Sequence, residues 1–291
     1  MSVPSAAPPP ASPAASPADP RITPANGRVA HLSLRGRVPA LRFVAGEPAR
    51  IARPLADLLD APGGRRQRQV LRGERVLVLE REAGFAFVQS SRNGYCGYVP
   101  ESALGKDTPA THWVRAPATH LYPEPDIKAP EIGSVSIGAR LAVTGAAGQF
   151  LATDAGEYVP QVHLQPVGTW APDPVEVALG LLGTPYLWGG NSRAGLDCSG
   201  LVETALAACG RACPGDSDLQ EKALGTRLPD GTSPARGDLV FWRGHVAMAT
   251  GDGRIVHATA HAMAVILEDF GQAVARIDAS GGGMPTSLRR P

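Results

Sequence analysis

Short apolar runs broken by turn residues fill the first half of the chain. Val76-Leu77-Val78-Leu79 and Phe85-Ala86-Phe87-Val88 flank Ala83-Gly84, a spacing that predicts a β-hairpin. The same texture extends over residues 28–105, which are assigned to a small β domain. It recurs over residues 108–168, where Arg140-Leu141-Ala142-Val143 and Gln149-Phe150-Leu151 are predicted strands. Gly97-Tyr98-Val99-Pro100 returns as Glu157-Tyr158-Val159-Pro160, 60 positions later. Upstream, Ala56-Asp57-Leu58-Leu59-Asp60-Ala61-Pro62 corresponds to Ala118-Thr119-His120-Leu121-Tyr122-Pro123. The second stretch is a loose repeat of the first, and the pair predicts two tandem small barrels.

From residue 170 the pattern changes. Pro174-Val175-Glu176-Val177-Ala178-Leu179-Gly180-Leu181-Leu182 has apolar positions at helical spacing behind a proline suited to the first turn, and predicts a helix ending before Gly183. A second helix is expected to open at Asp197-Cys198-Ser199-Gly200 and to run through Leu201, Val202, Ala205, Leu206 and Ala208 to Gly210. Three strands follow: Asp238–Trp242, His245–Thr250 and Arg254–Ala258. Helices first and antiparallel strands after give residues 170–291 an α+β layout. Residues 1–27, rich in Pro, Ala and Ser, lack the apolar surface to offset ordering entropy and are expected to form a disordered tail.

Composition narrows the picture. A chain of 291 residues has room for two or three cores. Its 28 Lys plus Arg against 27 Asp plus Glu leave a net charge of +1, so neither nucleic acid nor an anionic membrane is a default partner. The opening residues hold no basic leader followed by an apolar run, and the chain is expected to be cytoplasmic. Cys96, Cys198, Cys209 and Cys213 are too few for a disulfide framework and are expected to stay reduced.

One of these thiols has a reason to react. A thiol attacks as thiolate, and Cys198 is expected at a helix N-terminus, where free N–H groups and the helix dipole favour an anion. His245 and His257 fall on neighbouring predicted strands around Gly251-Asp252-Gly253, so one hairpin can present both imidazoles on one face. His245 is assigned as base and His257 as the group that orients it. The spacings Cys209-x-x-x-Cys213 and His257-x-x-x-His261 also admit a zinc site. The long gap between the pairs speaks against it, and no metal or cofactor is assigned.

The residues resemble a known family at this point. Gly183-Thr184-Pro185-Tyr186-Leu187-Trp188-Gly189-Gly190, Asp197-Cys198-Ser199-Gly200, Gly237-Asp238-Leu239-Val240-Phe241, Gly244-His245-Val246-Ala247-Met248 and Val256-His257-Ala258 are similar to the ordered motifs of NlpC-type papain-like cysteine peptidases. The two β stretches resemble bacterial SH3 domains. The resemblance implies two all-β SH3-like barrels ahead of an α+β catalytic domain, with Cys198 as nucleophile, His245 and His257 completing a triad, and Tyr186 near the nucleophile and the oxyanion. It extends to murein-peptide recycling enzymes that cut between γ-D-glutamate and a diamino acid and require a free N-terminal L-Ala. It then implies an ammonium pocket of Asp197 and Ser199, with Glu74 and Tyr95 reaching in from the first β domain. Tyr98 is excluded from that role because Tyr158 repeats it, which suits a barrel-core aromatic. Two other functions stay open: a wall-binding or protein-binding module that has lost catalysis, and an exported peptidoglycan hydrolase.

Overall fold

In the computed structural model, which describes residues 19–291, the predicted hairpin forms from Arg75–Glu82 and Phe85–Ser90. Its two-residue turn places Ala83 and Gly84 both at positive φ, 51° and 79°, which matches the twist of the paired strands. The hairpin belongs to a seven-stranded antiparallel sheet. The order is Arg66–Leu71, Leu55–Leu59, Cys96–Pro100, Phe85–Ser90, Arg75–Glu82, Glu47–Ile51 and Leu104–Gly105. Alternate residues Val76, Val78, Val88 and Val99 turn inward with Ile51, Leu58 and Val70, so the sheet curls around one apolar core.

The Tyr-Val-Pro steps from which a repeat was expected lead into the same local turn in both places. Cys96–Pro100 leads into the 3-10 turn Glu101–Ala103 and the short strand Leu104–Gly105. Tyr158–Pro160 leads into Gln161–His163 and Leu164–Pro166. The second β unit encloses its own core of Val114, Leu121, Val135, Leu141, Leu151 and Val159. Tyr98 packs its ring against Phe87, as expected of a core aromatic.

The remaining residues form a layered unit. Helices α1 (Pro174–Leu179) and α2 (Cys198–Ala208) come first, then α3 (Ser217–Ala223). A six-stranded antiparallel sheet follows, ordered Thr226–Arg227, Ser287–Arg290, Leu239–Trp242, His245–Ala249, Arg254–Thr259 and Ala264–Asp269. Leu239, Phe241, Val246, Met248, Val256 and Ala258 face α1 and α2. Val240, Trp242, Ala247 and Ile255 face α4 (Phe270–Ala279). Both faces are covered, which is why the central strands are continuous apolar runs rather than alternating ones.

The elements that went unpredicted include α3, the strand Ala264–Asp269 and α4. The tail also needs correction. The part of residues 1–27 before Asp19 lies outside the described residues, but the chain from Asp19 onward is docked. Arg21 bonds Asp216 and Asp218 of the C-terminal unit at 2.8 Å, and its carbonyl accepts from Cys96 N at 2.6 Å. Asn26 holds its turn by accepting from Arg28 N and Val29 N. Ion pairing and backbone pairing supply what composition lacked. No helix of the described residues is long and apolar enough to cross a membrane.

Candidate active site

Cys198 is the first residue of α2, and Asp197 caps that helix in extended conformation. The Asp197 carboxylate accepts from Gly200 N at 2.6 Å, Ser199 Oγ at 2.9 Å and Gly189 N at 2.9 Å. The two flanking motifs are thereby tied together, and their glycines are steric requirements. A Cβ on Gly200 would stand 2.2 Å from the Gly190 carbonyl oxygen, and one on Gly189, at φ 70°, 2.7 Å from Gln67 O.

The thiol faces the backbone that carries His245. Cys198 Sγ donates to Gly244 O across 4.0 Å. His245 Nε2 and His257 Nδ1 are 2.9 Å apart, so the hairpin presents both imidazoles on one face as expected. Beyond them lies a residue that sequence reasoning missed: His257 Nε2 is 3.0 Å from Glu268 Oε2. Arg276 of α4 grips Glu268 with both ends of its guanidinium, at 2.8 and 2.7 Å. A carboxylate only accepts, so His257 Nε2 carries the hydrogen and neutral His257 leaves Nδ1 bare. His245 Nε2 then donates, and the nitrogen left with a lone pair is His245 Nδ1. With both its nitrogens engaged, His257 has none to offer the metal site weighed from its spacing to His261.

Burial governs the charge state. It pushes the Cys198 thiol up to about 12, reinforced by the neighbouring Asp197 charge. The helix start was expected to supply part of what a thiolate needs; Asp197 takes the Gly200 N–H and sets a negative charge beside the sulfur, so more of the task falls to the base. Burial also lowers His245 to about 3 and His257 to about 4. Thiol and imidazole are therefore both neutral at rest. Moving one proton from Cys198 to His245 creates two opposite charges together, which offsets the desolvation each would cost alone. Tyr186 is half-buried with its phenol raised to about 12, burial first and the Cys198 charge second, so its hydroxyl stays protonated beside the sulfur.

The expected ammonium pocket is assembled differently. Ser199 is buried, with Oγ donating to Asp197 and accepting from Arg68 Nη1 at 3.2 Å. Arg68, 1% exposed, also bonds Asn191 Oδ1 at 2.9 Å, Glu203 Oε2 at 2.9 Å and Asp216 Oδ1 at 3.0 Å. Tyr95 does cross to the C-terminal unit, where its hydroxyl donates to Asp216 Oδ2 at 3.0 Å. Glu74 does not. Its carboxylate accepts from Leu71 N at 3.1 Å and Ser90 Oγ at 2.6 Å, closing the tight turn at Gly73. The cavity it lines, with Arg75, Arg92 and Arg140, holds none of Cys198, His245 or His257. Arg68 and Asp216 were missed: Arg68 sits in the charged run Arg65-Arg66-Gln67-Arg68, and Asp216 in a turn at φ 52°.

The chain is similar to known proteins. The NlpC/P60 family profile matches residues 183–275, and a bacterial dipeptidyl-peptidase SH3 domain profile matches residues 58–104. The chain is 34% identical over 217 residues to a gamma-D-glutamyl-L-lysine dipeptidyl-peptidase of Bacillus subtilis, covering 66% of this chain and 72% of that one. It is 28% identical over 223 residues to the enzyme of that name from Bacillus cereus, covering 65% and 66%. In fold it is similar to the crystal structure of an NlpC/P60 family protein from Bacillus cereus, with a TM-score of 0.70 at 22% identity over 84% of this chain and 99% of that one. A thiol at a capped helix start, facing a histidine hairpin, on a chain so much like these along most of its length, makes this protein a member of the NlpC/P60 family of cysteine peptidases.

Proposed function

We propose that the protein is an endopeptidase that hydrolyses the γ-D-glutamyl-diamino acid bond of murein peptides with a free N-terminal L-Ala. The observation that carries this reading is the docking of the first β unit on the residues flanking the nucleophile, through Arg68 to Ser199 and Gln67 against Gly189. A wall so near Cys198 limits how far substrate extends before the scissile bond, which suits a dipeptide ending in an amine. Asp197 is the acidic group for that ammonium, and Asp216, itself held by Arg21, Arg68 and the Tyr95 hydroxyl, fixes the wall of the pocket. The names of the Bacillus relatives support the bond cleaved. We take residues 28–105 and 108–168 as SH3-like domains and 170–291 as the peptidase domain.

In the reaction, His245 Nδ1 takes the Cys198 proton and the thiolate attacks the γ-carbonyl carbon of D-Glu. The carbonyl electron pair moves to oxygen, which the Cys198 backbone N–H and the Tyr186 hydroxyl stabilise. The imidazolium gives its proton to the departing amine, the C–N bond breaks, and a thioester remains. Water, deprotonated by His245, attacks the thioester and releases L-Ala-D-Glu and the free thiol.

The test is incubation with L-Ala-γ-D-Glu-meso-diaminopimelate, its lysine counterpart and N-acetylated forms of both. Dipeptide release from the free peptides, lost on acetylation and absent in Cys198→Ala, is the expected result. Equal cleavage of the acetylated forms would sink the amine claim, and turnover by Cys198→Ala the mechanism. We further place the protein in the cytoplasm, where its four free cysteines suit a reducing compartment and recycled peptides carry free N-termini. Fractionation of the native cells checks this.

A further inference from the structure

We propose that Glu268, held by Arg276, is a positioning residue that fixes the direction of the hydrogen-bond chain from His257 through His245 to Cys198. The inference rests on Cys198 and His245 reacting as above. Two imidazoles 2.9 Å apart can share a hydrogen in either sense. In one sense His245 keeps a bare Nδ1 for the thiol proton. In the other, His257 Nδ1–H donates to His245 Nε2, and neutral His245 must carry its hydrogen on Nδ1, where it cannot act as base. Nothing in the histidine pair itself chooses. The acceptor on the far side of His257 chooses, and it is Glu268 Oε2 at 3.0 Å.

Arg276 explains why that carboxylate does not overreach. Beside a fully buried imidazole, a lone carboxylate would favour a standing imidazolium and leave His245 less able to pass its proton on. The paired guanidinium keeps Glu268 ionised, its carboxyl held below the usual range, while cancelling most of its charge toward the histidines. What remains is a fixed acceptor. The other charged or titratable groups facing the chain are His261 toward His257, with Asp197, Tyr186 and Arg68 toward the sulfur.

Glu268→Gln and Arg276→Gln test the proposal through the pH profile of Cys198 alkylation by iodoacetamide, which needs no peptide. In Glu268→Gln the new side-chain amide can offer its own N–H to His257 and reverse the chain. Alkylation at neutral pH should slow by about 10- to 100-fold, the worth of one charge-assisted hydrogen bond, and peptide kcat should fall alike with KM little changed. The alkaline limb, where the thiol ionises without its base, should move down in Glu268→Gln, which removes a negative charge from the surroundings of the pair. It should move up in Arg276→Gln, which unmasks that charge. A wild-type alkylation profile in Glu268→Gln overturns the proposal, as does an equal loss at every pH in both variants with lowered melting temperatures. Because iodoacetamide reads the thiol directly, normal alkylation beside a failed peptide assay would count against the substrate and leave the chain of histidines standing.

Discussion

Asp197 acts on Cys198 in two opposed ways: its carboxylate holds the helix start in place, and its charge raises the thiol. Asp197→Asn separates them, because asparagine caps a helix about as well without the charge. Alkylation of the variant at pH 7 should be faster than wild type, while cleavage of the free-amine tripeptide should fall. Both rates measured on one preparation check this, and a fall in both would mean the cap was lost. The histidines make a second prediction. His245 and His257 are held at about 3 and about 4 against the ordinary 6.5, so below 6.5 the unfolded chain binds protons that the folded chain refuses. Stability is therefore complete above that value and falls as the medium is acidified toward 4, which melting curves across the range should show. His257→Gln should flatten the curve. At this scale Cys198, His245 and His257 were legible because each lies in a short local pattern. Glu268 was not, since its role depends on which strand lies beside Arg254–Thr259.

Among the elements, α2 shows how packing can reverse a local preference. Replacing a helical glycine by alanine ordinarily stabilises by about 1 kcal/mol. At Gly200 the added Cβ would meet backbone oxygen at 2.2 Å, and backbone cannot swing aside as a flexible side chain would. Gly200→Ala should therefore destabilise, by about 1–3 kcal/mol of overpacking, and lower the melting temperature. The helices α1 and α2 were predicted within a few residues because their apolar spacing and their caps agree. For α4 the signal was present and unused: Phe270, Val274 and Ile277 lie one turn apart behind the cap Asp269. The strand Ala264–Asp269 carries Val265-Ile266-Leu267, a run too short for periodicity to separate strand from helix. Only seven residues long, α3 leaves even less pattern to find.

At the scale of the whole molecule, Arg68 joins the first β unit to the peptidase core. Its side chain and that of Glu203 are each 1% exposed, and Arg68 reaches Asn191, Ser199 and Asp216 as well. Arg68→Met would leave Glu203 with Arg92 and Asn93 but without this charge-assisted bond, at a cost of about 1–3 kcal/mol, and should abolish turnover. Adding Glu203→Met should recover part of the stability without restoring cleavage, since Ser199 would still lack the Arg68 guanidinium and Asp216 would keep only that of Arg21. Thermal melts and peptide assays on both variants decide this. The sequence by itself pointed to two β stretches, the order of helices before strands, and a cysteine at a helix start with two histidines on one hairpin. Each follows from neighbours within one turn, one hairpin or one repeat, where local periodicity and turn chemistry act. Only the tertiary structure decided that Glu74 stays in its own turn, that Tyr95 and Arg68 cross to Asp216, that Asp19 to Asn26 is docked, and that Glu268 ends the histidine chain. Those depend on charged groups far apart in the chain, whose partners no local pattern specifies and whose burial is tolerable only once the partners have met.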